Sequence, residues 1–168
     1  MAKSDSFFIR AKATSTGGSY EQIEIPMGSY VDALGKSVVR IHNIATQAYE
    51  TDPTDEWGLP ANSEGLVTYQ LTTQTQTGIV GASDKSVVST GAIHLVNAQP
   101  APGLTFLSDT PDIMPQNWRN GYLIAVEELF LAVDTDAQVP TATIEIVMEC
   151  TVETLSQNAA MALALSQQ

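Results

Sequence analysis

The sequence predicts an all-β chain, an antiparallel β-sandwich of about eight strands followed by a short C-terminal helix. Three observations carry that reading. From Thr143 to Glu153 the residues alternate, with Ile144, Ile146, Met148, Cys150 and Val152 on one side and Thr143, Glu145, Val147, Glu149, Thr151 and Glu153 on the other. A period of two marks a half-buried strand. Similar runs recur along the chain between clusters of Gly, Pro, Asn, Asp and Ser, the punctuation expected of short strands. Helix-forming composition is concentrated in the last residues, 156–168.

Taken in order, residues 6–14 (SFFIRAKAT) set Phe7, Ile9, Ala11 and Ala13 against Phe8, Arg10 and Lys12, a first strand. Residues 15–19 (STGGS) read as a turn in which Gly17 and Gly18 supply positive φ. Tyr20–Ile25 follows as a second strand, paired with the first as a hairpin. Ser29–Leu34 fits a single helical turn closed by Gly35. Lys36–Tyr49 is a long strand whose faces mix (Val39 and Ile41 on one, Val38 and Ile44 on the other), which predicts a bulge or a change of face. Glu50–Gly65, with Pro53, Pro60 and Trp57, is a loop. Leu66–Thr77 alternates Val67, Tyr69 and Leu71 with Thr68, Gln70 and Thr72. Ser86–Val96 is one bent strand or a pair, with Gly91 as a bulge site. Asn97–Gly103 is a loop, Leu104–Leu107 is short and extended, and Ser108–Asn120 is a second long loop, carrying Trp118.

Gly121–Leu155 joins two apolar runs across DTDAQVP and is expected to form a hairpin near the centre of the sandwich. Its first arm, YLIAVEELFLAV, also fits a helix by composition. The Tyr, Ile, Val and Phe content and the bracketing Gly121 and Asp134 favour a strand. Strict alternation would bury Glu127 or Glu128, which is costly without a partner. A bulge at that pair is therefore predicted, with Tyr122, Ile124 and Val126, then Leu129, Leu131 and Val133, facing one core. The chain thus divides into a sandwich over residues 1–155 and an apolar helix or tail over residues 156–168, capped by Ser156 or Thr154. Such a short apolar helix has to bury itself against its own domain or a neighbour.

Length and charge bound the function. A chain of 168 residues fits one domain with a substantial core. Lys+Arg is 7 and Asp+Glu is 19, so the net charge is 7 − 19 = −12. That balance opposes binding to a phosphate backbone. Only Lys3, Arg10 and Lys12 lend the N-terminus a mildly basic character. The single cysteine, Cys150, excludes an intrachain disulfide and is expected to be a buried, inert thiol. No stretch resembles a secretory signal or reaches the length of a membrane span, so a soluble protein made in the cytoplasm without a cleaved signal is expected.

No catalytic motif is present, and the chain is read as a non-enzyme. His42 and His94 lie far apart in sequence, with no second His or Cys at zinc-ligand spacing. No cofactor is expected beyond a possible calcium ion, for which Asp52, Asp55 and Glu56 are the candidates, although they match no EF-hand loop. Glu145, Glu149 and Glu153 share a strand face, so that face should be wet or paired with Lys or Arg.

Strand count, the two long tryptophan-bearing loops and the size, over most of the chain, resemble the viral single jelly-roll capsid proteins. The resemblance implies a jelly-roll sandwich that assembles with copies of itself into an icosahedral or other symmetric shell, resides in the virion, and meets other virion proteins. On that reading Trp57, Trp118, Met161, Leu163 and Leu165 are the interface candidates. The family often carries an Arg/Lys-rich N-terminal arm, and here only Lys3, Arg10 and Lys12 stand in its place. Strong direct nucleic-acid binding is therefore not expected. A second reading is a carbohydrate-binding or lectin-like sandwich using Trp57 or Trp118, with or without calcium.

Overall fold

The computed structural model describes residues 4–32, 36–55 and 57–168. Nine strands appear in chain order: β1 (Phe7–Thr16), β2 (Tyr20–Pro26), β3 (Ser37–Tyr49), β4 (Ser63–Thr72), β5 (Val87–Asn97), β6 (Phe106–Ile113), β7 (Tyr122–Ile124), β8 (Glu128–Thr135) and β9 (Thr141–Thr154). A 3₁₀ turn (Pro115–Asn117) precedes β7, and the helix α1 (Gln157–Ser166) ends the chain. The strands form two antiparallel sheets, one ordered β1-β9-β3-β7 and the other β2-β8-β4-β5-β6. Except through the run β4-β5-β6, the chain changes sheet at each step. This is a jelly-roll sandwich with β6 added to the edge of the larger sheet.

The core lies between the sheets. From β9 it takes Ile144, Ile146, Met148 and Cys150, and from β8 Leu129, Leu131 and Val133; they meet Val39, Ile41, Val67, Tyr69, Leu71, Ile93 and Leu95 in one buried cluster. Full burial of each such aliphatic side chain contributes roughly 1.5–3 kcal/mol, which is what holds the two sheets face to face. In β3 the register moves from Ile41↔Cys150 to Asn43↔Glu149, so His42 is the extra residue of a bulge. The bulge switches faces: Val39 and Ile41 are buried before it and Ile44 after it. Mixed faces in the sequence had this cause. In the β5–β6 pairing the register moves from Thr90↔Ile113 to Gly91↔Pro111, so the extra residue is Asp112 of β6 and not the Gly91 expected from the sequence.

Four expectations are corrected. Gly121–Leu155 is not a hairpin, because β8 pairs with β2 and β4 while β9 pairs with β1 and β3. The two arms face each other across the core instead of lying side by side. The irregularity at Glu127 is also larger than a bulge. The strand stops at Ile124, the chain crosses to the other sheet, and β8 starts at Glu128. Met27 N–H donates to the Glu127 carbonyl (2.7 Å) and pins that crossing. Both glutamates are exposed while Ile124, Val126, Leu129, Leu131 and Val133 are buried, as the alternation required.

The segment 15–19 is a second crossing, not a hairpin turn, with Gly17 and Gly18 at φ 69° and 72°. The supposed loop 108–120 contains most of β6. Its Asp, Pro and Thr content hid a strand, and an edge strand tolerates Pro111 because its outer N–H needs no partner. Of the helical turn expected at Ser29–Leu34, Tyr30 and Val31 N–H groups donate back to the Met27 carbonyl at 2.8 and 3.0 Å, Asp32 N–H donates to the Ser37 carbonyl (3.1 Å), and residues 33–35 lie outside the described residues.

Cys150 is fully buried on the core face of β9. Burial, with Glu149 adding to it, pushes its thiol pKa up to about 12. Because the thiolate is the reactive species, the native protein should leave Cys150 unmodified by a thiol reagent at a pH of about 8, and denaturant should release stoichiometric reaction. Prompt labelling of the native protein would contradict the burial.

Candidate interface

The outward surface of the sandwich holds the groups that sequence reading singled out, and several it did not. Among the described residues the strand β6 pairs with β5 alone, leaving its other backbone edge without a strand partner there. Phe106 and Leu107 start it, 59% and 41% exposed. As neighbours on a strand they project to opposite faces. Leu107 is opposite core residue Leu95 and Phe106 is opposite Val96, so one widens the rim of the core and the other the outer face. Asp109 and Asp112 follow on the same strand, and partial burial raises the Asp109 carboxyl above the usual carboxylate range.

The opposite sheet has its own free edge in β1, which pairs only with β9. Phe8 is 56% exposed there, with the Arg10 guanidinium 5.9 Å from its ring centroid. Lys12 Nζ lies 5.5 Å from the Tyr49 ring centroid and 3.8 Å from Glu145. Lys and Arg on an edge discourage indiscriminate strand addition. Tyr49 hydroxyl also donates to Glu145 (2.6 Å), and Arg40 makes a two-pronged pair with Glu153 at 2.7 and 2.8 Å. The β9 face carrying Glu145, Glu149 and Glu153 was expected to be wet or paired with Lys or Arg, and Glu145 and Glu153 are paired, with Lys12 and Arg40.

The helix α1 begins at Ser156, whose Oγ accepts from Ala159 N–H (3.3 Å). Ala160, Ala164 and Leu163 pack against Val38, Leu123, Ala125 and Leu155. Gln167 locks the end down. Its side-chain carbonyl accepts from Ala125 N–H (3.0 Å), its amide donates to the Leu123 carbonyl (2.6 Å), and its backbone carbonyl accepts from the Thr73 hydroxyl (2.7 Å). One side of the helix is thus used by its own domain. Met161 and Leu165 face outward, 43% and 68% exposed.

The remaining candidates separate. Trp57 is half-buried and packs against the main core. Trp118 is 42% exposed and meets Tyr122 edge-on at 5.7 Å. Asp52 and Asp55 shape their own loop: Asp52 Oδ1 accepts from the Thr54 N–H and hydroxyl, and Asp55 Oδ2 accepts from Asp52 N–H (2.9 Å). The Thr54 hydroxyl and N–H hold the Asp52 carboxyl below its ordinary range. Glu56 lies outside the described residues, and among the described residues no three His, Cys, Asp or Glu side chains converge on a common point. His42 Nε2 is 2.9 Å from the Thr151 hydroxyl, and His94 is exposed on β5. Among the described residues no helix is long and apolar enough to cross a membrane.

Phe106, Leu107 and Gln167 were missed by sequence reading. Two adjacent large apolar residues gave a signal at 106–107, but Leu104–Leu107 was read only as short and extended, with no face assigned. Gln167 gave none, because a terminal glutamine carries no pattern.

No family model and no curated protein sequence matches this chain. Among solved structures it is similar to a chain from the structure of maize chlorotic mottle virus, at 12% identity over 90% of this chain and 95% of that one, with a TM-score of 0.33. It is similar to a chain of turnip yellow mosaic virus at 11% identity over 90% and 82% of the two chains, with a TM-score of 0.28. A tailspike protein of the Acinetobacter baumannii bacteriophage Fri1, a capsular polysaccharide depolymerase, matches at 11% identity over 83% of this chain and 20% of its own, with a TM-score of 0.17. Scores this low assign no function.

Proposed function

We propose that this chain is a self-assembling structural subunit, a viral coat protein that forms a closed symmetric shell from copies of itself and resides in the virion. The observation that carries the proposal is the set of large apolar side chains held outward at the margins of a rigid jelly roll: Phe106 and Leu107 on one free edge, Phe8 on the other, and Met161 and Leu165 on the helix. Fold alone does not give function, since jelly rolls serve as capsid and lectin domains alike. The placement of these side chains is what favours assembly. Each one is left facing solvent by this chain, and contact with a second copy would remove its apolar surface from water.

The charge balance shapes the partners. Among the described residues Lys12 and Arg40 are paired with Glu145 and Glu153, and the chain's net charge of −12 works against close approach of a genome's phosphates. A nucleic-acid cargo would be neutralised by another virion component or by counter-ions. The purified chain should form large particles of uniform size, visible by mass photometry and negative-stain microscopy across a range of salt and calcium concentrations. A sample that stays monomeric throughout that range would overturn the proposal.

A further inference from the structure

An open cleft of about 670 Å³ lies where the turn before β7 crosses the bulge of β3. The chain there reads Gln116-Asn117-Trp118-Arg119-Asn120-Gly121, and its backbone is fixed at several points. Trp118 N–H donates to the Pro115 carbonyl (3.0 Å), closing the 3₁₀ turn. Arg40 Nη1 donates to the Asn120 carbonyl (2.5 Å). Gly121, at φ 71°, lies directly against the Ile41 carbonyl. The side chains between these anchors are therefore presented from a rigid base, which lowers the ordering cost of binding. His42, the bulged residue, lines the same cleft.

The charges in the cleft do not balance. Arg40 is neutralised by its two-pronged contact with Glu153. Arg119 is exposed and has no hydrogen bond or ion pair among the described residues. One guanidinium thus shares the cleft with a partly exposed indole and with Gln116 and Asn120, and the Gln116 amide donates to Met114 Sδ (3.5 Å) while leaving its carbonyl to accept. A guanidinium fork matches a carboxylate with two parallel bonds. Side-chain amides both donate and accept, which suits hydroxyl groups. An indole supplies a broad apolar surface with one polar atom.

We propose that this cleft binds an acidic sugar residue, with its carboxylate on Arg119, its hydroxyls on Gln116 and Asn120, and its ring against Trp118. One free cation fits one carboxylate. A polyanion such as nucleic acid would bring many charges to a chain of net charge −12, and that imbalance disfavours it. The site goes beyond the shell-forming role and does not depend on it.

The test is a titration of the whole chain, followed through the indole N–H resonances of the fraction that mass photometry shows as single subunits, with methyl glucuronide, methyl glucoside and adenosine monophosphate. Glucuronide and glucoside differ only in the carboxylate. Glucuronide should shift the Trp118 resonance and leave that of Trp57 in place, and glucoside should bind roughly tenfold more weakly or worse. Arg119→Ala should erase the difference between the two sugars, and Arg119→Lys should restore part of it. Neither substitution removes a hydrogen bond or ion pair among the described residues. An unmoved Trp118 resonance, equal affinity for the two sugars, or tighter binding of the nucleotide would each overturn the proposal. Particle size is recorded on the same samples, so a chain that fails to assemble and a cleft that fails to bind are told apart.

Discussion

Phe106→Lys combined with Leu165→Lys is expected to leave the chain folded and to abolish particle formation. Both side chains are more than half exposed in the isolated subunit, so replacing them should change stability by no more than about 0.5 kcal/mol each. The substitutions suit their local structure. Lysine is a common protective residue on edge strands, and a cation in the last turn of α1 is favoured by the helix dipole. In a shell the outcome reverses. Each contact that had buried Phe106 or Leu165 would have to bury an ammonium group, at an expense of several kcal/mol unless it is paired, and the penalty recurs at every copy. Thermal melting of the variant should match the parent while mass photometry shows only small species. Undiminished particles would remove these two positions from the assembly surface.

Gly121→Ala is expected to cost about 3 kcal/mol or more and to disorganise the cleft as well. Two penalties add. The residue sits at φ 71°, where an L side chain is strained by roughly 1–3 kcal/mol. Its Cβ would also be driven into the Ile41 carbonyl, with His42 Cα close behind at 3.5 Å. Backbone cannot swing aside as a flexible side chain could. Gly17→Ala separates the two effects, since Gly17 has φ 69° and nothing within 4 Å of the added Cβ. It should lose only the conformational part, about 1 kcal/mol. Equal denaturation midpoints for the two variants would show that the approach to Ile41 carries no weight.

Much of the fold was legible because alternation is local. The dry face of β9 could be read residue by residue, and so could the core-facing members of β7 and β8 on either side of Glu127 and Glu128. Mixed faces in β3 announced the bulge that the structure places at His42. Partner choice was hidden. A run such as Tyr20–Ile25 has the same pattern whether it pairs with the preceding strand or with β8, since pairing is decided by distant strands competing for the same edge. Short connections then suggested hairpins where the chain in fact changes sheet.

The candidate surface was legible in part. Met161 and Leu165 were found because an apolar helix at the end of a polar chain must place its side chains somewhere. Which of them turn inward was settled by Val38, Leu123 and Ala125, contributed by strands far away in sequence and by the crossing after β7. Trp57 and Trp118 looked alike as tryptophans in loops, yet one packs against the core and the other lines an open cleft.

By itself the sequence determined the all-β class, the core-facing residues of the strongest strands, the capped terminal helix, and the net charge of −12. Those properties follow from residue spacing and composition, which neighbours in the chain impose on one another. Tertiary structure alone decided the jelly-roll order, the strand status of β6, the outward aim of Phe106 and Leu107, and the meeting of Arg40, His42, Trp118 and Arg119 around one cleft. These depend on contacts between segments tens of residues apart, where burial of the shared core selects one pairing among several that local pattern permits equally well.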